Sequence, residues 1–164
     1  MNVRPHRYTR GFTLVELMIV VVIVSILMAI AVPSYSAYVR RSHRVEAKTA
    51  LMDLAGREER YFSTSVTGAN YSQTPADLGY PPGAWAAQVI GSGYYTVNVC
   101  AVGPAMSGAC PPSNQAAPGF AVTAVPVGTQ LADTQCAFFA VDNTGKQWAN
   151  DTAGVDQTAY CWGN

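Results

Sequence analysis

The chain has 164 residues, with ten Lys and Arg against ten Asp and Glu, and only 12% of it is charged, about half the usual share for a soluble domain. That length fits one domain of ordinary size, or a smaller one with an appendage, while the scarcity of charge argues against a cytosolic enzyme or a disordered tail. Nine of the ten positive residues fall within 1–60, so residues 61–164 carry Lys146 against Asp77, Asp133, Asp142, Asp151 and Asp156, a formal −4, which disfavours a basic nucleic-acid-binding globule.

Residues 1–10 contain Arg4, Arg7 and Arg10 and no acid, and the 21 residues from Phe12 to Val32 are interrupted by a single charge, Glu16. As a helix that run spans about 31 Å, the thickness of a hydrocarbon core. The three arginines place residues 1–10 in the cytoplasm and send the rest outward. Ala29-Ile30-Ala31 is the A-x-A pattern of a removable signal peptide, but cleavage there would discard the Glu16 segment and leave a long helix with nothing to bind. A carboxylate inside an apolar run costs about 2.5–3.5 kcal/mol on insertion scales unless it finds a partner, which makes Glu16 a functional candidate. The plainer reading is a residue at headgroup level, since Glu16 lies only a few residues into the run and can snorkel.

Gly11-Phe12-Thr13-Leu14-Val15-Glu16, behind a short basic leader and ahead of an apolar helix, resembles the class III signal of type IV pilins, minor pilins and the pseudopilins of type II secretion. The resemblance implies that a prepilin peptidase of the inner membrane cuts between Gly11 and Phe12 and methylates the new Phe12 amine. It implies that Glu16 pairs with the N-terminal amine of a neighbouring subunit during assembly. The partners it implies are other pilins of the same filament, the peptidase, the assembly machinery of the inner membrane, and membrane lipid before assembly. The location implied is the inner membrane for the precursor and then an extracellular pilus of a Gram-negative bacterium. The electrostatics agree: the amine exists only after cleavage, so the acid lacks its compensating charge in the precursor and gains it in trans.

Pro33 removes a helical hydrogen bond and crowds the preceding turn, so a kink or a loosening is expected there, or a helix end. The helical pattern nevertheless resumes. Ala47, Leu51, Leu54, Tyr61 and Phe62 recur at three- and four-residue steps, while Arg40, Arg41, Arg44, Lys48, Arg57, Glu58 and Arg60 mostly occupy other faces. The spacing predicts one helix from Phe12 to Phe62 whose second half packs on a globule. The Arg40, Arg41, Arg44, Lys48 cluster suits either anionic headgroups and acids of neighbouring subunits, or a solvated face. Asp53 and Arg57 are spaced for an i, i+4 pair.

From residue 63 the chain turns to Gly, Pro, Ser, Asn and Thr, which reads as a long connecting loop. Strand-like runs follow at Tyr94 to Val102, Phe120 to Val127 and Cys136 to Val141, and Asp142-Asn143-Thr144-Gly145 is a turn signal before a short return around Gln147 and Trp148. The expected fold is α+β, a long helix packed on a small antiparallel sheet. The expected organisation is a leader (1–11), a membrane and filament-core helix (12–33), an amphipathic helix (34–62) and a β-sheet head (63–164), with 34–164 forming one globular unit. The four cysteines, Cys100, Cys110, Cys136 and Cys161, contain no C-x-x-C pair and read as two disulfides formed in an oxidising compartment, with three pairings open. The segment from Thr123 to Gln147 and the Cys161-Trp162 pair look like the minor-pilin branch of type IVa pilins, in which the last two cysteines enclose a C-terminal loop. That resemblance implies Cys136–Cys161 and leaves Cys100 with Cys110.

The motifs of catalysis are missing: the chain has no G-x-S-x-G, no P-loop, no H-E-x-x-H and no complete EF-hand loop. His43 lies among arginines and reads as a solvated residue. Asp142, Asn143, Asn150, Asp151 and Asp156 could offer oxygens to calcium, but turn chemistry accounts for most of them. No enzyme activity, cofactor or metal is therefore expected. The leading function is a minor pilin incorporated into type IV pili for assembly, adhesion or twitching motility. The alternatives are the major pilin itself and a DNA-receptor minor pilin for natural transformation. DNA is disfavoured because the head offers Lys146 beside Trp148 against five acids. Tyr94, Tyr95, Trp148 and Trp162 are read as core packing rather than as a contact patch.

Overall fold

The computed structural model describes residues 11–65, 71–101 and 119–163. The first helix opens on Thr13, whose Oγ1 accepts a hydrogen bond from the Glu16 backbone N–H at 3.2 Å, satisfying one of the donors that every helix N-terminus leaves free. Helix α1 then runs Leu14–Thr64 and continues through Pro33. Chain contacts divide the protein into a unit up to Val39 and a unit from Arg40 onward. In the first, every side chain from residue 11 to 35 is exposed.

Within the second unit, Ala47, Leu51 and Leu54 are fully buried, the face that the three- and four-residue steps of the sequence present. They cover a five-stranded antiparallel sheet in simple sequential order. Its strands are β1 (Val89–Ile90), β2 (Tyr95–Ala101), β3 (Phe120–Pro126), β4 (Phe138–Asp142) and β5 (Gln147–Asn150). Pairs such as Val99 with Val122 and Val122 with Val141 set the register. Alternation then turns Tyr95, Val97, Val99, Phe120, Val122, Ala124, Phe139 and Val141 into one core with the helix. The Asp142–Gly145 turn closes with Gly145 at φ +79, a conformation that glycine adopts without steric cost. The fold is α+β, with the long helix and antiparallel sheet that the sequence predicts.

Three features differ from the sequence reading. Residues 71–90 hold two 3₁₀ turns, Pro75–Leu78 and Trp85–Ala87, and the short β1 rather than a plain loop. Trp85 is buried there, its indole N–H donating to the Gln73 carbonyl at 2.7 Å and its ring meeting Tyr80 edge-on. Turns of three or four residues are too short to show a periodicity. The third strand run starts at Phe138 rather than Cys136, and a short helix, α2 (Thr158–Trp162), follows β5. Cys136 and Cys161 are joined as a disulfide with a Cα–Cα distance of 5.8 Å, which ties α2 to the segment ahead of β4. Cys100 is buried on β2, and the Cys100–Cys110 pairing lies outside the described residues, as does the basic leader.

Candidate functional site

Gly11, Phe12 and Glu16 stand together at the start of α1. Phe12 is 83% exposed, and among the described residues, its chain neighbours aside, no atom lies within 4 Å of where a Gly11 Cβ would sit, so a backbone-cleaving active site could reach this peptide bond. Thr13-Leu14-Val15-Glu16 also has the spacing of a capping box. Only half of the box forms: Thr13 accepts from the Glu16 N–H, and among the described residues nothing donates to the Glu16 carboxylate. That acid is thus held at a helix N-terminus, where the dipole favours negative charge, at one end of the single helix among the described residues that is long and apolar enough to cross a membrane.

The basic cluster at residues 40–48 divides in a way the sequence did not indicate. Arg44 is buried, and its Nε and Nη2 donate to the two carboxylate oxygens of Asp133 at 2.7 Å each. It is therefore a structural ion pair and not part of a solvated or headgroup-facing row. His43 is also not a solvated residue. Its ring stacks on Tyr94 with centroids 3.7 Å apart, and its Nδ1 lies 3.0 Å from Gln130 Oε1. Gln130 is the centre of this network, because its Nε2 reaches the Arg40 carbonyl, the Tyr95 hydroxyl and Asp133. With Nε2 as the donor, Oε1 must accept, so His43 carries its proton on Nδ1. Burial pushes the Tyr95 hydroxyl up to about 12, so it stays neutral. Lys48 reaches the Trp162 carbonyl at 3.4 Å, and among the described residues Arg40, Arg41 and Lys48 have no ion pair, Arg44 alone of the row having one.

A second buried charge sits one to two turns before the C-terminal end of α1. Glu58, which the sequence reading placed off the apolar stripe, is fully buried. Its Oε2 accepts the Ser72 N–H at 3.0 Å, while Oε1 has no partner among the described residues. Burial, with Glu59 and Asp77 nearby, pushes its pKa up to about 7 although the Ser72 bond pulls the other way. Arg57 cannot compensate it, being engaged with Asp53 at 2.7 Å, with the Leu78 carbonyl and with the Tyr80 ring.

The acids considered for calcium serve their own turns. Asp142 Oδ1 accepts from Thr144 N–H, Thr144 hydroxyl and Lys146 N–H, Asp151 Oδ1 from the Ala153 and Val155 N–H groups, and Asp156 Oδ1 from Thr158 N–H. Among the described residues no three His, Cys, Asp or Glu side chains converge as metal ligands would. Lys146 does lie over the Trp148 ring at 5.0 Å, the one place among the described residues where the head joins a cation to an aromatic outside the α1 contacts. Tyr95 and Trp162 belong to the core, and Trp148 is half-buried.

Comparison with known proteins places these features in a setting. Residues 6–32 match a family described as a prokaryotic N-terminal methylation motif. Residues 33–140, about two-thirds of the chain, match a family described as type IV minor pilin ComP, DNA uptake sequence receptor. Among curated proteins, the type IV major pilin protein PilA of Myxococcus xanthus is 44% identical over 73 residues, 44% of this chain and 32% of the relative. Fimbrial protein EcpC of Eikenella corrodens is 48% identical over 54 residues, 33% of this chain and 35% of the relative. A type IV major fimbrial protein FimA of Dichelobacter nodosus is 54% identical over 70 residues, 37% of this chain and 45% of the relative. The chain thus spans less than half the length of these relatives.

Proposed function

As the chain belongs to the type IV pilin family, we propose that it is a minor pilin, held in the inner membrane of a Gram-negative cell as a precursor and then built into an extracellular pilus. The observation that carries this reading is the match of residues 33–140 to a minor-pilin family, directly following a match of residues 6–32 to the methylation motif. The geometry supports it. An exposed apolar helix of bilayer length has the Gly11–Phe12 bond at its start, and the Glu16 carboxylate, four residues after Phe12, has no partner among the described residues. Prepilin peptidase would cut that bond and methylate Phe12. The freed cationic amine of one subunit and Glu16 of its neighbour would then neutralise one another as both leave lipid for the filament core. The role is structural, with other pilins and the inner-membrane assembly machinery as partners and no cofactor. Mass spectrometry of sheared filaments tests it: a methylated Phe12 terminus at trace abundance supports a minor pilin. The same terminus as the dominant species would make this chain the major pilin, the role named for the PilA and FimA relatives.

A second reading, a DNA receptor, is favoured by the description of the family that residues 33–140 match. The Lys146–Trp148 pair is a suitable element for it, whereas the formal −4 of residues 61–164 opposes it. Salt-sensitive retardation of duplex DNA by the purified protein would put this reading ahead.

A further inference from the structure

Resting on the pilin reading, we propose that before assembly the face of the head around Arg40, Arg41, Leu131 and Tyr160 lies on the anionic surface of the membrane that holds the apolar segment. The face is a built juxtaposition of three segments far apart in sequence. The Gly128–Ala132 turn is fixed against α1 by the Gln130 hydrogen bond to the Arg40 carbonyl, and the next residue, Leu131, is 61% exposed. Tyr160 of α2 is 46% exposed and sits against the Arg44 guanidinium, 5.1 Å from the ring centre. A hydrogen bond to Arg44 and the charge of Arg41 hold its hydroxyl below the ordinary tyrosine range.

Asp133 cancels the charge of Arg44, so the face keeps two guanidiniums without an ion pair among the described residues, beside one exposed aliphatic and one exposed aromatic side chain. That combination suits a lipid headgroup layer, where phosphates meet arginine while leucine and tyrosine enter the boundary with the acyl chains. The occupant follows from the chain itself. Val32 ends a segment of bilayer length that is exposed throughout, and Arg40 comes eight residues later. Whatever angle the two units take, that stretch spans about 12 Å as helix and no more than about 29 Å fully extended. The surface within reach of this face in the precursor is therefore the bilayer.

The test uses the full chain inserted in vesicles of phosphatidylcholine alone or with one quarter phosphatidylglycerol, following amide hydrogen exchange at residues 128–132 and 158–162. Exchange in both segments should slow roughly tenfold with the anionic lipid, and the effect should disappear at high salt, where screening reaches a few Å. It should also be lost in an Arg40→Gln, Arg41→Gln double variant and weakened by Leu131→Ser, all of which should still float with the vesicles. A chain that floats but exchanges equally in both lipids overturns the inference and leaves the anchor reading standing. Protection that ignores lipid charge and grows with the protein-to-lipid ratio overturns it in favour of subunit contact. A chain that floats with neither vesicle overturns the anchor reading, and this inference with it.

Discussion

Arg44 and Asp133 face each other through two parallel 2.7 Å hydrogen bonds, with both side chains almost wholly removed from water and a sequence separation of 89. Removing one partner of such a pair strands the other charge in the interior, which costs about 3–5 kcal/mol, whereas replacing both by apolar groups is far milder. Arg44→Met and Asp133→Leu should each lower the urea midpoint strongly, and the double variant should recover much of the loss. Equal losses that simply add would show that the two side chains act independently.

Glu58 gives the head a pH dependence of definite sign. Its folded pKa of about 7 lies above the ordinary value of 4.5, so the folded state holds this proton more tightly than the unfolded one. Its contribution is greatest below about pH 4.5 and is lost as pH rises through 7, by roughly 3 kcal/mol in all. Glu58→Gln keeps the acceptor for Ser72 and removes the titration. The stability of this variant relative to the parent should therefore rise between pH 5 and pH 8. A constant difference across that range would mean that Glu58 is already ionised at acid pH.

Reducing the Cys136–Cys161 bridge opens a loop with a sequence separation of 25, for which chain entropy gives about 3.5 kcal/mol. Cys161→Ser should lower thermal stability and open the α2 segment to protease. Unchanged protease resistance would show that core contacts of Trp162 alone hold α2 in place.

Processing and assembly should separate genetically. A bulky residue in place of Gly11 should block cleavage, leaving the leader attached, as intact-mass measurement would report. Glu16→Ala should be cleaved and methylated normally yet be scarce in sheared filaments. Wild-type levels of the Glu16→Ala chain in filaments would remove the case for pairing between its carboxylate and a neighbour's amine.

Much of this architecture is legible in the sequence. The helix expected from Phe12 to Phe62 is found over Leu14–Thr64, and the strand runs starting at Tyr94 and Phe120 fall within a residue or two of β2 and β3. Long periodic elements announce themselves because the same face is buried at every repeat. The Gly11 to Glu16 signal is legible for a related reason, since all its residues are contiguous. The burial of Arg44 and Glu58 and the engagement of His43 are not legible. A charged side chain on a helix reads as polar unless its partner is known, and these partners, Asp133, Gln130 and Ser72, lie on distant segments. The face formed by Leu131 and Tyr160 is hidden likewise, because only the folded turn and α2 bring them to residues 40–44.

The position of Trp162 carries a consequence for biogenesis. Its ring closes the core against Phe139 at 5.9 Å, its neighbour Cys161 is bonded to Cys136, and its carbonyl receives Lys48 from α1. Synthesis delivers a chain in order, so the helix stripe and the sheet emerge before the residues that seal them. The core should remain open, and the Cys136–Cys161 bridge unmade, until residues 158–162 have emerged. A chain interrupted ahead of Trp162 would then present an unfinished core to proteases, which makes the arrival of α2 the step that closes the head.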